Sequence, residues 1–442
     1  MNLFEIADLL NCSVKTDALV TGFATDSRKV MPGDLFVAIK GESVDGHAYI
    51  ADAMTRGAVA ILCTKLTPQM PIDQLVVPDV VEALAVIATH HRQKLACRVI
   101  ALTGSNGKTT VKEMIASILP QPSYATPGNL NNHLGVPLSV GQLKSHHRYA
   151  VFELGANHKH EIAHTVAIVK PHVALINNIA PAHIGEFGSI DGVAHAKGEI
   201  YQGLRQDGIA IINADDAYAD FWLPLLTEKK ILRFSTHQNT DIHAEHISMD
   251  AQGRATFTLV LPQGQAIVRL LVPGVHNVSN ALAAAACTYA IGLDLADIVR
   301  GLEEFSGVPG RMSVRKGKNQ AIIIDDTYNA NLRSVLSALS VLATYKGQRV
   351  FIFGDMSELG SWSQEHHQEV GRFARQQGID LLMTCGSDSR YASAEFGEDG
   401  KHYETKDELL SDILPRLKPE TTLLVKGSRS AAMETIVAQL LE

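Results

Sequence analysis

The stretch VIALTGSNGKTTVKEMIASIL, residues 99–119, decides the fold of this chain. The apolar run VIAL predicts a buried strand, and VKEMIASIL predicts a helix that begins directly after a polar turn. A glycine-rich turn at a helix N-terminus presents backbone N–H groups and the positive end of the helix dipole to an anion. This order of strand, turn and helix is the setting of a phosphate-binding loop.

The side chains of this loop suit a nucleoside triphosphate. Lys108 can neutralise charge on the outer phosphates, and the Thr109 hydroxyl can complete the coordination of a magnesium ion. The general pattern GxxxxGK[ST] is not fully met, because its first glycine falls at Leu102. The flanking strand and helix nevertheless favour ATP or GTP binding over a fortuitous turn. The residues predicted to bind the nucleotide here are Gly104, Ser105, Asn106, Gly107, Lys108, Thr109 and Thr110.

Further buried strands, each followed by a loop and a helix, extend from Arg98 to about Gly307. The candidates are VIALTG, YAVFELG, HVALINNI and GIAIINA, and such runs predict a parallel sheet covered on both faces. A second series, AIIIDDTY, VFIFGDM, LLMTCG and TLLVKGS, predicts a smaller doubly wound domain. We therefore predict an α/β fold of three domains. These are a small N-terminal α/β domain (1–80), a central phosphate-loop ATPase domain with a parallel sheet (81–308) and a C-terminal Rossmann-like domain (309–442).

Three more residues stand where ligands of such a sheet bind. Glu153 ends the strand YAVFE, and carboxyl ends of parallel strands meet at the ligand crevice, where a carboxylate suits a hard cation. His183 follows the strand HVALINNI, and Lys197 lies on a predicted helix beyond it. Taken alone, each residue has an ordinary alternative. Glu153 could be a capping carboxylate, His183 is one of 19 histidines, and Lys197 could be an exposed lysine.

Asn277 and Asn280 lie near the start of the helical run in GVHNVSNALAAAACTYAIG. An asparagine amide can pair with an adenine edge, but it is equally suited to capping a helix. The residues alone leave both interpretations open.

The composition limits the class of protein. The 442 residues are 46% hydrophobic and carry a formal net charge of -8, which argues against a nucleic-acid or membrane-surface role. No signal peptide and no apolar run of about 18 residues is visible. Five scattered cysteines without a CxxC pair predict free thiols in a reducing compartment, so we expect a cytoplasmic protein.

Together these motifs resemble the Mur ligase family, which also includes the folylpolyglutamate synthases. TGSNGKTT, Glu153, His183, AKGEI around Lys197 and GVHNVSNALAA occur in the order and approximate spacing of that family. GVPGRM (307–312), IDDTYNAN (324–331) and KGSRS (426–430) complete the set. The resemblance covers essentially the whole chain.

The resemblance implies an ATP-dependent enzyme of bacterial cell-wall synthesis that joins a carboxylate to an amine through an acyl phosphate. TDSRKVMPGDLFVAIKGESVDGH (25–47), TPGNLNNHLGVPLS (126–139) and FGDMSELG (353–360) are similar to the branch that joins D-alanyl-D-alanine to UDP-N-acetylmuramoyl-tripeptide. We expect these two small molecules as partners, no nucleic acid or membrane, and a monomer. The alternatives are another Mur-family amino-acid ligase, a folylpolyglutamate synthase or, from another class, a nucleotide-driven switch or motor. The N-terminal domain argues against folate ligation.

The resemblance also implies roles for single residues. Lys108, Glu153, His183 and Lys197 would be catalytic, with Thr109 and Glu153 binding one Mg²⁺ and His183 a second. Lys197 would be carbamylated by carbon dioxide and would support the second ion. Asn277 and Asn280 would face the adenine, and Arg311 and Asp326 would reach the ATP phosphates and ribose.

The candidate substrate residues fall into three groups. The candidates for the uridine nucleotide end are Ser27, Arg28, Gly46 and His47. The candidates for the muramoyl or peptide part are Asn131 and Asn132. The candidates for the peptide carboxylate or the incoming dipeptide, placed at the crevice of the C-terminal sheet, are Asn329, Asn331, Ser428 and Arg429.

Overall fold

The computed structural model describes residues 1–41, 44–180 and 184–441. The chain forms two compact units. Unit 1 comprises residues 1–103, 120–174 and 198–208, and unit 2 comprises residues 104–119, 175–197 and the chain from 209 onward. In the described part of the chain, no helix has the length and apolarity needed to cross a membrane. The predicted domain boundaries near residues 80 and 308 stay a prediction.

The helices and strands follow in chain order. Up to residue 176 they are α1 (Leu3–Leu9), β1 (Gly22–Ala24), β2 (Asp34–Val37), α2 (Ile50–Thr55), β3 (Ala60–Cys63), β4 (Asp73–Val76), α3 (Val80–Gln93), β5 (Arg98–Thr103), α4 (Lys108–Ile118), β6 (Ser123–Ala125), α5 (Gly135–Gly141), β7 (Tyr149–Glu153), α6 (Glu161–Val169) and β8 (Val173–Ile176). From residue 184 to 304 they are α7 (Ile184–Phe187), α8 (Ile190–Gly198), β9 (Ile209–Asn213), β10 (Lys230–Ser235), β11 (Ile242–Met249), β12 (Arg254–Leu261), β13 (Gly264–Pro273), α9 (His276–Ala290) and α10 (Leu295–Glu304). The remainder are β14 (Ser313–Lys316), β15 (Ile322–Asp326), α11 (Leu332–Leu342), β16 (Gln348–Gly354), α12 (Ser363–Gln376), β17 (Leu381–Cys385), α13 (Arg390–Phe396), β18 (Gly400–Tyr403), α14 (Lys406–Ile413), β19 (Thr421–Lys426) and α15 (Glu434–Leu440).

Unit 1 contains a four-stranded parallel sheet in the order β1-β2-β3-β4. Successive residues of a strand point to opposite faces. Leu35 accordingly packs in a core with Leu3 and Leu84, whereas its neighbour Phe36 packs in a second core with Ile50. The predicted small N-terminal α/β arrangement is therefore present, with helices against both faces of its sheet.

Unit 1 also holds strands β5, β7 and β6, which pair in parallel in that order. Glu153 is the last residue of β7 and lies opposite Leu102 of β5. The Leu154 N–H donates to the Leu102 carbonyl, with N and O 2.8 Å apart. This register places the Glu153 carboxylate at the carboxyl end of the strand that leads into residues 104–107.

Unit 2 corrects one prediction. Strands β9, β10 and β11 are parallel, but β12 and β13 are antiparallel to their neighbours rather than part of a repeated strand–helix series. In β12 the residues alternate between buried and partly exposed, starting with buried Ala255. Such alternation is typical of an antiparallel sheet with one face toward solvent.

Unit 2 also contains a six-stranded sheet in the order β14-β15-β19-β16-β17-β18, in which β14 is the antiparallel strand. Ile324 and Phe351 belong to the core on one face, and Ile323 and Ile352 belong to the core on the other. This is the doubly wound arrangement expected of the second strand series. The predicted α/β fold class is confirmed.

Candidate active site

The phosphate loop of unit 2 occupies residues 104–107, and α4 begins at Lys108. Gly107, the residue before α4, has φ +77°, in the left-handed region that favours glycine. A Cβ atom there would lie 2.6 Å from Asn280 Oδ1 and 2.7 Å from Asn177 Nδ2. The glycine is therefore required by both its backbone conformation and its surroundings.

Two asparagines that follow β8 shape this loop. Asn178 Oδ1 accepts the Asn106 N–H at 2.9 Å, and Asn178 Nδ2 donates to the Asn106 carbonyl at 3.1 Å. Asn177 Nδ2 donates to the same carbonyl at 3.0 Å, and the Ser105 N–H donates to the Asn178 carbonyl at 2.9 Å. These bonds hold the loop backbone in one conformation before any ligand binds, which lowers the entropic cost of binding.

Two lysines belong to the same surroundings. Lys108 Nζ donates to the Gly104 carbonyl at 2.8 Å, so this side chain folds back over the loop. Lys197, near the end of α8, is buried, and burial lowers its pKa well below the usual value for a lysine. The positive charge of Lys108 lowers the pKa of Lys197 further. Both effects favour the uncharged amine more than in an exposed lysine.

The two asparagines predicted to face the adenine are both buried in the first turns of α9. Asn277 Nδ2 donates to the Pro273 carbonyl at 2.8 Å, and Asn280 Nδ2 donates to Asn277 Oδ1 at 2.9 Å. Asn280 Oδ1 accepts from Asn177 Nδ2 at 3.1 Å. These amides connect the start of α9 to the phosphate loop, and their contact with adenine stays a prediction.

A buried ion pair joins the ends of two strands of the six-stranded sheet. Lys426, the last residue of β19, donates from Nζ to Asp326 Oδ2 at 2.5 Å and to the Asn329 carbonyl at 2.9 Å. Asp326 Oδ1 accepts the Met312 N–H at 3.1 Å. Asp326 and Asn329 are thus brought together through Lys426.

Arg311 lies one residue before Met312, and its guanidinium carbon stands 4.1 Å from the centroid of the Tyr328 ring. A guanidinium stacked on an aromatic face is held in position while its N–H groups remain available at the edges.

In unit 1, Glu153 is almost fully buried. Its Oε1 accepts from Asn131 Nδ2 at 2.8 Å, and its backbone N–H donates to Thr126 Oγ1 at 3.1 Å. Among the described residues, Glu153 Oε2 has no hydrogen-bond partner. A buried carboxylate oxygen without a partner is costly unless a ligand or cation completes it.

Three family models match the chain in succession. They are the Mur ligase family, catalytic domain at residues 19–97, the Mur ligase middle domain at 102–288, and the Mur ligase, glutamate ligase domain at 310–429. A curated relative, UDP-N-acetylmuramoyl-tripeptide–D-alanyl-D-alanine ligase from Escherichia coli (strain K12), is 43% identical over 100% of this chain and 98% of its own length. The chain belongs to the Mur ligase family.

Solved structures agree with this assignment of the Mur ligase chain. The crystal structure of MurF from Acinetobacter baumannii is 38% identical, covers 99% of this chain and 98% of its own, and superposes with a TM-score of 0.90. MurF ligase from Thermotoga maritima, solved in complex with ADP, is 27% identical, covers 96% and 98% of the two chains, and gives a TM-score of 0.83. The family resemblance predicted from the sequence is confirmed.

The predicted metal ligands of this Mur ligase are Thr109, Glu153, His183 and Lys197. His183 lies outside the described residues. Thr109 is buried in the first turn of α4, and Thr110 beside it is half-buried. The described chain contains no cluster of three His, Cys, Asp or Glu side chains placed to hold a metal. The unpartnered Oε2 of Glu153 is nonetheless a hard oxygen donor of the kind that Mg²⁺ prefers.

The candidates for the uridine nucleotide lie at two short 3-10 helices of unit 1. Ser27 is buried at the start of one (Ser27–Lys29), and Arg28 donates from Nε and Nη2 to Asp26, which holds the pKa of that carboxyl at about 2. The Arg28 side chain itself is 81% exposed, so it remains accessible to a ligand.

Gly46 and His47 begin the other 3-10 helix, Gly46–Tyr49. His47 Nδ1 lies 2.6 Å from Asp45 Oδ1, and the Thr64 N–H donates to His47 Nε2 at 3.3 Å. Bonds from the His47 N–H and ring hold the pKa of Asp45 at about 2. The imidazole is thus fixed from both sides, and its role toward a substrate stays a prediction.

The remaining candidates for substrate binding already have protein partners. Asn132 Oδ1 accepts the Gly135 N–H at 2.8 Å, and Arg429 Nη1 pairs with Glu434 at 2.9 Å. Buried Ser428 shares hydroxyl contacts with Ser357 at 2.9 Å and Ser430 at 3.1 Å. These positions are ordered, and their substrate roles stay predictions.

Sequence reasoning missed Asn177, Asn178 and Lys426. Asn177 and Asn178 stand directly after the buried strand β8, just as Glu153 stands at the end of β7. Two adjacent side-chain amides at the carboxyl end of a strand were therefore a usable signal of a functional site. Lys426, the first residue of KGSRS, gave none, because a lysine between a strand and a turn is ordinary until the fold buries it beside Asp326.

Proposed function

We propose that this chain is an ATP-dependent ligase that adds D-alanyl-D-alanine to UDP-N-acetylmuramoyl-tripeptide, giving the pentapeptide precursor, ADP and phosphate. The observation that carries this proposal is 43% identity across the whole chain to a curated ligase of that name. The phosphate loop, its helix and its two lysines supply the groups that such a reaction needs.

The chemistry explains why ATP is required. A carboxylate does not acylate an amine at neutral pH, because oxide is a poor leaving group. Transfer of the γ-phosphoryl group to the peptide carboxylate breaks the bond to ADP and forms an acyl phosphate. The dipeptide amine then attacks the carbonyl carbon, a tetrahedral intermediate collapses, and phosphate departs with the former carboxylate oxygen.

The loop residues act mainly by position and charge. Backbone N–H groups at the start of α4 and the ammonium of Lys108 face the charge that develops on the transferred phosphoryl group. Because Asn177 and Asn178 fix the loop beforehand, little reorganisation is needed at the moment of reaction. ADP in the Thermotoga maritima structure supports the assignment of the nucleotide.

Two magnesium ions complete the proposed site, where they would offset the charge between carboxylate and phosphates. Thr109 and Glu153 would hold one ion and His183 the other. Carbamylation of Lys197 would add an anionic oxygen ligand for the second ion. The lowered pKa of Lys197 supports this modification, since carbon dioxide reacts with the uncharged amine.

We further propose that the enzyme acts as a monomer in the cytoplasm, where its five cysteines, all unpaired in the structure, would remain reduced. Ser27, Arg28, Gly46 and His47 would bind the uridine nucleotide, and Asn131 and Asn132 the muramoyl or peptide part. The side chains at the ends of the C-terminal strands would contact the peptide carboxylate or the incoming dipeptide.

An acceptor panel tests the choice of reaction within the family. The protein, ATP, magnesium and UDP-N-acetylmuramoyl-tripeptide are incubated with D-alanyl-D-alanine, L-alanyl-L-alanine, or single amino acids including D-glutamate and L-lysine. Mass spectrometry should show a product only with D-alanyl-D-alanine. A product with a single amino acid, and none with the dipeptide, would assign the chain to another step catalysed by this family.

A further inference from the structure

The N-terminus of α11 touches the phosphate loop through one side-chain contact. Asn331 Nδ2 donates to Asn106 Oδ1 at 2.8 Å, across 225 residues of sequence. Both residues lie in unit 2, and both are half-buried. We call this contact the Asn331–Asn106 link.

Asn331 has a second, separate task. It is the N-cap of α11, where its Oδ1 accepts the Ser334 N–H at 3.0 Å and its own N–H donates to Ser334 Oγ at 3.1 Å. The two ends of one amide therefore serve different partners: Oδ1 caps the helix, and Nδ2 makes the link. Serine and aspartate cap helices as well as asparagine does, but an ionised aspartate has no hydrogen to donate, and the serine hydroxyl lies closer to the backbone than the amide nitrogen.

Asn106 takes part in the same arrangement through its backbone and its side-chain oxygen. Its N–H and carbonyl bind Asn178 and Asn177, which leaves its side-chain oxygen to receive Asn331. Arg333, in the first turn of α11, adds a contact from Nη1 to the Ile179 carbonyl at 3.4 Å. The N-terminus of α11 therefore contacts both the phosphate loop and the segment 177–179 that follows β8.

The link connects two parts of the proposed reaction centre. α11 follows β15, whose end carries Asp326 and, through Lys426, Asn329. A fixed α11 N-terminus therefore fixes this strand end relative to the phosphate loop. Phosphoryl transfer depends steeply on such positioning.

We propose that Asn331 is a positioning residue for phosphoryl transfer: its amide holds the end of β15 in register with the phosphate loop through Asn106. This rests on the proposed ligase function, and it assigns Asn331 a task other than contact with the peptide or dipeptide. Because Asn177 and Asn178 shape the loop without Asn331, the link sets the rate of the reaction and leaves nucleotide affinity nearly unchanged.

The test uses Asn331→Ser, Asn106→Ser and the double variant in the full-length protein. Asn331→Ser keeps the helix cap and is too short to reach Asn106. We expect each single variant to lower kcat about three- to tenfold, the effect of one lost hydrogen bond. Asn331→Ser, which lies outside the phosphate loop, should keep the dissociation constant for ADP and the KM for D-alanyl-D-alanine within twofold of wild type. Asn331→Asp, which keeps the cap but replaces the donor by an acceptor, should lose at least as much.

The double variant decides whether the two residues act together. If the link is the cause, the double variant is no slower than the slower single variant, because the same bond is already lost. Multiplied losses would overturn the proposal, as would a wild-type kcat in Asn331→Ser. A raised KM for the dipeptide with unchanged kcat would also overturn it and would assign Asn331 to the substrate.

A readout without catalysis separates this proposal from the function itself. Amide hydrogen exchange of the peptide covering residues 104–112, measured with ADP bound, should be about three- to tenfold faster in Asn331→Ser than in wild type. Unchanged exchange would overturn the link. If wild type makes no pentapeptide but the exchange differs as expected, the ligase assignment fails and the link stands.

Discussion

Single side chains determine whether the phosphate loop can hold and activate a nucleotide. Lys108 is the cation that folds over the loop, bonded to the Gly104 carbonyl. Lys108→Ala should lower the rate of phosphate release from ATP at least about a hundredfold, because the charge that meets the transferred phosphoryl group is lost. Phosphate release with both substrates present measures this, and an undiminished rate would contradict the loop assignment. Lys230→Ala, at the exposed first residue of β10, serves as control and should behave as wild type.

Lys197 is proposed to act through carbamylation, whereas Lys108 acts through its positive charge. Its buried amine has a pKa well below the usual lysine value, owing first to burial and then to the charge of Lys108. In ¹³C-bicarbonate, wild type should show a carbamate carbon signal by NMR that Lys197→Ala lacks, and Lys197→Ala should lose most ligase activity. Full activity of Lys197→Ala, insensitive to bicarbonate, would rule out the carbamate role.

The pair of Lys426 and Asp326 predicts a stability effect. Both side chains are buried, with 2.5 Å between Nζ and Oδ2. Lys426→Met should lower the free energy of unfolding by about 3 kcal/mol, because a buried carboxylate loses its partner.

Its matched control is Lys401→Met, which breaks the more exposed pair with Asp412 in the same sheet. That variant should cost no more than about 1 kcal/mol. Urea unfolding of both variants measures the difference, and equal losses would contradict the distinction between buried and exposed pairs.

At the scale of elements, His172 joins the start of one strand to the segment before another. It lies just before β8, and its Nδ1 accepts the Val99 N–H of β5 at 3.0 Å. Burial, followed by the charge of Arg205, lowers the pKa of His172 to about 4. In the unfolded chain, His172 binds a proton near the ordinary pKa of about 6.5, whereas in the folded chain it binds one only near pH 4.

Stability from this histidine is therefore present above about pH 6.5 and lost as the pH falls toward 4. Partial solvent exposure screens the effect, and we expect on the order of 1–2 kcal/mol. In His172→Asn, the Asn Oδ1 can accept the same N–H without titrating. The free energy of unfolding of this variant, measured with urea, should therefore change less between pH 7 and pH 4.5 than that of wild type. Identical slopes in the two proteins would contradict the assignment.

The elements also show what the sequence could predict. Strands β5, β7, β8 and β9 were predictable because strands of a parallel sheet buried on both faces are continuously apolar. The antiparallel strands β12 and β13 were missed because their alternating pattern was interpreted as part of the preceding series. The position of Glu153 followed from strand order alone, and the register opposite Leu102 agrees with it.

Partners formed across the fold could not be predicted. The sequence predicts Asn331 as a residue for the peptide carboxylate or the dipeptide. It gives no sign of the bond from its amide to Asn106, a contact fixed only when α11 packs beside the loop. The burial of Lys426 likewise depends on the strand order β15-β19-β16, which no local pattern specifies.

At the scale of the whole molecule, the remaining alternative class is a nucleotide-driven switch or motor. Such a protein hydrolyses nucleotide without either small substrate. The full-length relationship to ligases argues for bond formation instead, since identity of 43% extends over both the loop and the C-terminal sheet.

The most direct test is phosphate release from ATP with magnesium, UDP-N-acetylmuramoyl-tripeptide and D-alanyl-D-alanine, with each component omitted in turn. The ligase account predicts that release requires every component and that one pentapeptide product forms for each phosphate released. Phosphate released at an equal rate without the dipeptide, or without amide formation, would contradict it.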